Sequence, residues 1–109
     1  MNAKRLEEKD PGETVPLSWD FTDDIADIGD FTITTATIEV SVDRSLSRGT
    51  DPTPSALLNS SPQIDGFVVA QSITGGLDGV DYKVTCKAQI DSTPVSTIYK
   101  TSILPVRTQ

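Results

Sequence analysis

Two stretches of the chain alternate apolar and polar residues with the period of two that a half-buried β-strand requires. In residues 15–21 the apolar side chains, including Trp19 and Phe21, fall at odd positions. In residues 81–90 the alternation runs without a break, so Asp81 and the other odd positions face water. Both stretches are predicted strands, with Trp19 in the core. The inward residues of the second are Tyr82, Val84, Cys86, Ala88 and Ile90.

Three further segments are rich in the β-branched residues that strands favour. Residues 31–42 begin with apolar side chains at odd positions and end with them at even positions. A regular strand cannot change face in this way, so we predict a bulge near Thr35–Thr37. Residues 65–74 form another predicted strand, and residues 95–106 form the last strand or pair of strands.

Two segments lack strand periodicity. Residues 1–13 are polar and charged, with Pro11 and Gly12 near their end, and they predict either a flexible tail or an arm that orders against a neighbouring subunit. Residues 43–63 are rich in Ser, Pro, Thr, Gly and Asp and predict a long loop, with a short helical turn at "SALLN". Because long loops in compact domains are often functional, this loop is the first candidate contact surface.

The strand count predicts an all-β fold. About seven short strands, separated by turn signals, are typical of an antiparallel β-sandwich of the immunoglobulin-like or fibronectin-III-like type. We expect one such domain in residues 14–109, preceded by an extended N-terminal arm in residues 1–13. In this fold a tyrosine near the start of the penultimate strand, here Tyr82, bonds to backbone around the preceding corner.

Composition narrows the classes of function. Nine basic and sixteen acidic residues give a net charge of −7, without the basic stripe that nucleic-acid binding needs. No apolar run approaches the ~20 residues of a membrane span, so we expect neither nucleic acid nor membrane as a partner. The start lacks the apolar core of a signal peptide, and Cys86 is the single cysteine, which together indicate folding in a reducing cytosol.

Residues suited to catalysis are scarce. The chain has no histidine, and therefore no imidazole base. Cys86 faces inward, where a thiol without a neighbouring base is inert. The "GGLDG" stretch precedes a strand rather than a helix, so it offers an anion no helix N-terminus. We predict no catalytic residue, no cofactor-binding residue and no cofactor.

An acidic stretch from Asp20 to Asp30 allows two interpretations. The first is an acidic corner between two strands, with Ile25 and Ile28 tucked under the sandwich, since Asp side chains commonly bond nearby backbone at such corners. The second is a divalent cation site, although the spacing does not match an EF-hand. We expect the corner, and no metal ligands. The aspartates are Asp20, Asp23, Asp24, Asp27 and Asp30.

Three segments in order carry a resemblance: "KDPGETVPLSWDFTDDIADIGDFTI", "ITGGLDGVDYKVTCKAQI" and the closing "SILPV". Together they resemble a family of short immunoglobulin-like structural proteins of tailed bacteriophages and prophages. The chain departs from the family at "DSTP", where a glycine-containing hairpin is usual, and in its longer loop at residues 43–63. The matching positions are Lys9, Asp10, Pro11, Glu13, Trp19, Gly29, Asp30, Ile33, Gly75, Gly76, Gly79, Tyr82, Val84 and Thr85.

The resemblance implies a non-enzymatic virion structural protein, made in the host cytoplasm. It would be an assembly or adaptor module at the neck, tail or fibre attachment site. Its partners would be other virion proteins (neck, tail, fibre or capsid subunits) in multiple symmetric copies, so that weak contacts add up. The alternatives are a capsid decoration (cement) protein and a stand-alone receptor- or carbohydrate-binding β-sandwich, which would need exposed aromatic side chains to stack on sugars.

Overall fold

The alternating strands predicted above assemble into two sheets in the computed structural model, which describes residues 4–43 and 51–108. One α-helix, α1 (Thr22–Ile28), and one short 3-10 helix (Pro54–Leu57) accompany them. The strands are β1 (Lys4–Arg5), β2 (Thr14–Asp20), β3 (Ile33–Val42), β4 (Leu58–Asp65), β5 (Val68–Thr74), β6 (Asp81–Ile90) and β7 (Ser96–Pro105).

The first sheet has the strand order β1-β7-β6-β3, and the second has the order β2-β5-β4. All neighbouring strands are antiparallel except the two-residue β1, which runs parallel to β7. The prediction of a mostly-β protein with two packed antiparallel sheets is therefore confirmed. The segment predicted as the last strand or pair of strands is a single strand, β7.

The core lies between the sheets and contains the predicted residues. Every inward residue of β6, from Tyr82 to Ile90, has 0% exposure. Trp19 and Phe21 are also buried. The indole Nε1 of Trp19 in β2 donates a hydrogen bond to Ser102 Oγ in β7 at 3.2 Å. Trp19 therefore joins the two sheets as well as filling the space between them.

The predicted irregularity in β3 is present, slightly earlier than expected. The register of β3 against β6 shifts between Ile33 and Thr35. This extra residue lets Ile33, at an odd position, and Ile38, at an even position, both face the core.

The segment between β2 and β3 crosses one end of the sandwich. β2 faces β7, as the contact between Trp19 and Ser102 shows, whereas β3 lies at the far side of β6. The chain must therefore pass from one side of the sandwich to the other, and α1 with residues 29–32 makes this crossing.

Two turns lie at the same end. Phe21 N donates to Phe67 O at 2.9 Å, which places the β4–β5 turn there. Thr32 N donates to Asp91 Oδ1 at 2.8 Å, which places the β6–β7 turn there. This end is referred to below as the helix end, and it comprises residues 20–32, 64–67 and 91–95. The opposite end, referred to as the Lys9 end, comprises residues 9–13, 75–80 and 106–108.

The acidic stretch connects β2 to β3, as the predicted corner between two strands requires, and most of it is the helix α1. Asp23 and Asp24 lie in the first turn of α1, where negative charge favours a helix. Ile25 is 2% exposed, as expected, but Ile28 is 44% exposed, so its predicted burial is wrong. Ile28 is the last residue of a helix whose Ile25 packs on the core, and it lies beyond the edge of that core.

The predicted loop over residues 43–63 is too long, because β4 begins at Leu58 and pairs with β5. The mostly polar sequence of β4 lacks the alternation that predicts a strand, and its pairing with β5 is interrupted between Asn59 and Gln63. The predicted helical turn is present as the 3-10 helix, whose Leu57 is buried. Residues 44–50 of the predicted loop lie outside the described residues.

The described part of the predicted N-terminal arm lies along β7 of its own domain. Leu6 N donates to Ile103 O at 2.8 Å, and Lys9 N donates to Pro105 O at 2.9 Å. These bonds continue the parallel pairing that β1 begins. A contact between this arm and a neighbouring subunit stays a prediction.

Candidate interaction surfaces

Lys9 joins the "KDPGE" motif to the "GGLDG" turn at the Lys9 end. Its side chain is almost fully buried. Nζ donates to Asp10 O at 2.8 Å and to Gly75 O at 2.7 Å, across a sequence separation of 66 residues. Burial lowers the pKa of Lys9, although the carboxylates of Glu13 and Asp10 oppose this. This buried, bonded ammonium holds the fold together and is not presented to a partner.

The residues after Lys9 form a turn that bonds to itself. Asp10 Oδ1 accepts a hydrogen bond from Gly12 N at 2.8 Å. Glu13 Oε1 accepts one from Asp10 N at 2.8 Å, and Glu13 N donates to Asp10 O at 3.0 Å. The "DPGE" part of the motif therefore encodes a closed turn.

Tyr82 forms the predicted corner bond. Its hydroxyl accepts a hydrogen bond from Leu77 N at 2.9 Å and donates one to Asp51 Oδ2 at 2.8 Å. The first bond confirms the backbone contact around the corner before β6. The second fixes residue 51, in the segment predicted as a contact loop, to the Lys9 end.

Asp81 was predicted to face water, and this is wrong. Its side chain is 1% exposed, and its Oδ1 lies 2.7 Å from Arg107 Nη2. The reason is the course of the chain after β7: Gly79 N donates to Val106 O at 2.9 Å, which brings Arg107 over the start of β6. The alternation within one strand does not show that a residue distant in sequence, here Arg107, covers Asp81.

Cys86 is buried as predicted, and together with Tyr82 it predicts alkaline instability. Burial raises the pKa of the Cys86 thiol from 9.0 to about 12, and it raises the pKa of Tyr82 from 10.0 to about 12. Above about pH 9 the unfolded chain loses these protons while the folded chain keeps them, so stability falls as pH rises. We expect the urea unfolding midpoint to be level up to about pH 8.5 and to fall by about pH 11.

The matched variant for this prediction is Cys86→Ala. It removes the group with the lower ordinary pKa, so its decline should begin about one pH unit later than in the parent. Far-UV circular dichroism follows both unfolding curves. Identical pH profiles for parent and variant would show that the thiol is not responsible.

Carboxylates at the helix end are held by local bonds and one ion pair. Asp20 Oδ1 accepts hydrogen bonds from the Thr22 hydroxyl and from Thr22 N, which lower the pKa of Asp20. Asp24 Oδ2 lies 3.2 Å from Lys100 Nζ. Within residues 4–43 and 51–108, no group of three or more Asp, Glu, Cys or His side chains is placed to hold a metal ion.

Exposed apolar side chains concentrate at the helix end. Of the six large apolar residues that are exposed in the described chain, four lie there. A groove of about 260 Å³ opens at this end between α1 and the β4–β5 turn, with Ala26, Phe31 and Phe67 in its walls. The four are Ile28 (44%), Ile64 (40%), Phe67 (36%) and Val95 (63%).

The edges of the second sheet are poorly suited to strand addition. β2 and β4 are its edge strands, where a proline such as Pro16 is tolerated. Pro16 in β2 and Pro62 in β4 have no N–H to donate to an added strand, and β4 is also irregular. Contacts through side chains, as at the helix end, are therefore favoured over pairing along these edges.

Neither helix in the described part of the chain is long and apolar enough to cross a bilayer.

Comparison with known proteins identifies the family. No curated protein and no solved structure matches the chain. A family model described as podophage GP4 fiber-tail adaptor protein gp77 matches residues 9–97, from the buried Lys9 into β7. The chain therefore belongs to this podophage fiber-tail adaptor family, and it is a structural protein of the virion's tail and fibre apparatus and not an enzyme.

Proposed function

We propose that the chain links fibre to tail through contact surfaces at the two opposite ends of its sandwich. An adaptor needs two separate surfaces, and the domain is elongated, with extents of 44 × 26 × 22 Å. The observation that carries the proposal is the concentration of exposed apolar side chains at the helix end. Leu77, which is 47% exposed, offers a contact at the Lys9 end.

The sandwich is proposed to be of the immunoglobulin-like type. The order β2-β5-β4 in one sheet and β7-β6-β3 in the other supports this assignment. The hydrogen bond from Leu77 N to the Tyr82 hydroxyl is a second supporting feature. A sandwich of this kind places its loops at its two ends, as a connector between two structures requires.

Several symmetric copies per virion are proposed to act together at the fibre attachment site, rather than at the neck. Each end exposes only a few apolar side chains, so a single copy would hold its partner weakly. Copies arranged around the tail axis would combine these contacts through multivalency. The N-terminal arm, residues 1–13, adds a further contact surface for a neighbouring subunit while its residues 6–9 stay bonded to β7 of the same chain.

Deletion of the gene, with complementation from a plasmid, tests the proposed function. We expect particles made without the chain to have filled heads and tails but no fibres, as seen by negative-stain electron microscopy. Complementation should restore the fibres. Mass spectrometry of purified particles should then find the chain at a copy number that matches the tail's rotational symmetry.

The alternatives give different outcomes in the same experiment. A capsid decoration protein would leave the fibres attached and weaken the heads. A receptor- or carbohydrate-binding module would leave particles complete, with only adsorption to cells impaired. Exposed aromatic residues in the described chain are few, chiefly Tyr99 in β7 and Phe67 at the helix end, which does not favour a sugar-stacking platform. Fibres on particles that lack the chain would contradict the proposal.

A further inference from the structure

We propose that the helix end docks on a basic surface of a partner protein, which inserts one large apolar side chain into the groove between α1 and Phe67. This inference rests on the proposed function and specifies the chemistry of one partner.

The groove suits an apolar side chain. Its volume is about 260 Å³, and Ile25, Ala26 and Phe31 contribute apolar surface to it. The Phe31 ring lies over Gly29, where a Cβ atom would come within 2.8 Å of Phe31 Cε2. Phe67, on the β4–β5 turn, is partly exposed at the other wall. The floor is therefore built on a helix and on residues 29–31, which follow it before β3, and it does not depend on the β4–β5 turn alone.

Carboxylates are concentrated at the helix end, and one of them, Asp30, lines the groove itself. Seven of the sixteen acidic residues of the chain belong to the helix end, and no basic residue does. Lys100 in β7 reaches it and pairs with Asp24. No ion pair involves Asp23, Asp27, Asp30 or Asp65 within the described residues, and all four are exposed. The seven are Asp20, Asp23, Asp24, Asp27, Asp30, Asp65 and Asp91.

This charge defines the partner. An apolar groove with an acidic rim is complementary to an apolar side chain flanked by Lys or Arg, and the opposite charges speed association and fix orientation. A second copy of the chain does not fit, because each copy carries a net charge of −7 and two helix ends would bring like charges together. The occupant is therefore a different, basic protein of the fibre–tail joint.

Three variants test the inference by their binding to particles purified without the chain. Asp23→Asn/Asp27→Asn removes two rim charges on α1. Ala26→Phe fills the groove from an exposed helical position. The control, Glu7→Gln/Glu8→Gln, makes the same change in net charge at two exposed carboxylates outside the helix end. Circular dichroism and urea unfolding establish that each variant is folded.

We expect the aspartate variant to bind about tenfold more weakly than the parent at low salt, and to show a flatter decline of binding with added NaCl. Ala26→Phe should weaken binding by at least about tenfold at every salt concentration, since it excludes the apolar side chain. The glutamate control should stay within about twofold of the parent.

The outcomes separate this inference from the proposed function. If both helix-end variants bind and restore fibres as the parent does, the inference is wrong, while fibre loss on gene deletion still supports the adaptor role. If the control is weakened as much as the aspartate variant, only overall charge matters and the inference is also wrong. If the parent forms dimers in sedimentation that Ala26→Phe abolishes, the occupant is a second copy and the inference is overturned.

Discussion

Trp19→Ala is expected to lower the free energy of unfolding by about 3–5 kcal/mol. The side chain is 4% exposed, so its removal leaves a cavity between the sheets as well as losing apolar contact. The change also removes the hydrogen bond from Trp19 Nε1 to Ser102 Oγ, which links β2 to β7. Because small domains have a stability of only about 5–15 kcal/mol, this loss is a large fraction of the total.

Urea unfolding measures this effect. Trp19 is the only tryptophan, so the variant must be followed by far-UV circular dichroism instead of fluorescence. Trp19→Phe is the matched variant, since it keeps a large apolar ring and loses the indole N–H. It should cost distinctly less than the alanine change. An unchanged midpoint in Trp19→Ala would show that this residue does not hold the sheets together.

Strand periodicity predicted those strands that have one solvent-exposed face and one buried face. β6 is the clearest case, because it lies between β3 and β7 and its inner face is fully covered. β4 was missed, because it is an edge strand with mostly polar residues whose pairing with β5 is interrupted between Asn59 and Gln63. Alternation is a consequence of burial, so a strand that buries little carries little of the signal.

The helix end was only partly predictable for a related reason. The sequence showed the carboxylates and the apolar residues between them, but not that the segment must cross the sandwich from β2 to β3. Within this crossing, residues 22–28 form a helix in which Ile25 is buried and Ile28 is exposed. The burial of Asp81 under Arg107 was not predicted for the same reason, since it depends on the course of the chain after β7.

Most positions that indicated the family lie away from the proposed docking groove, to which they contribute only Gly29 and Asp30. At the Lys9 end, Lys9 Nζ donates a hydrogen bond to Gly75 O, and the Tyr82 hydroxyl accepts one from Leu77 N. Such residues report the fold, because their contacts are the same whatever the partner is. At the helix end the groove combines the matching positions Gly29 and Asp30 with other residues, such as Ala26 and Phe67, and only the three-dimensional arrangement brings these residues together.

Gly76→Ala is expected to be the second large loss of stability, at about 2–4 kcal/mol. Gly76 has a φ of +100°, which a residue with a side chain rarely adopts. A Cβ atom there would lie 2.9 Å from Val106 Cγ2 and 3.3 Å from Val106 Cγ1, and Val106 is fully buried. The substitution therefore combines backbone strain with overpacking at the Lys9 end. Urea unfolding followed by tryptophan fluorescence measures the change.

The neighbouring glycine separates these two causes. Gly75 also has a positive φ, +71°, but a Cβ atom there would meet nothing within 4 Å. Gly75→Ala should therefore show the backbone cost alone, about 1 kcal/mol. Val106→Ala is itself destabilising because Val106 is buried, but the double variant Gly76→Ala/Val106→Ala should lose less stability than the sum of the two single losses. Equal losses of stability at Gly75 and Gly76, together with simple additivity of Gly76→Ala and Val106→Ala, would mean that close packing against Val106 does not contribute to the loss at Gly76.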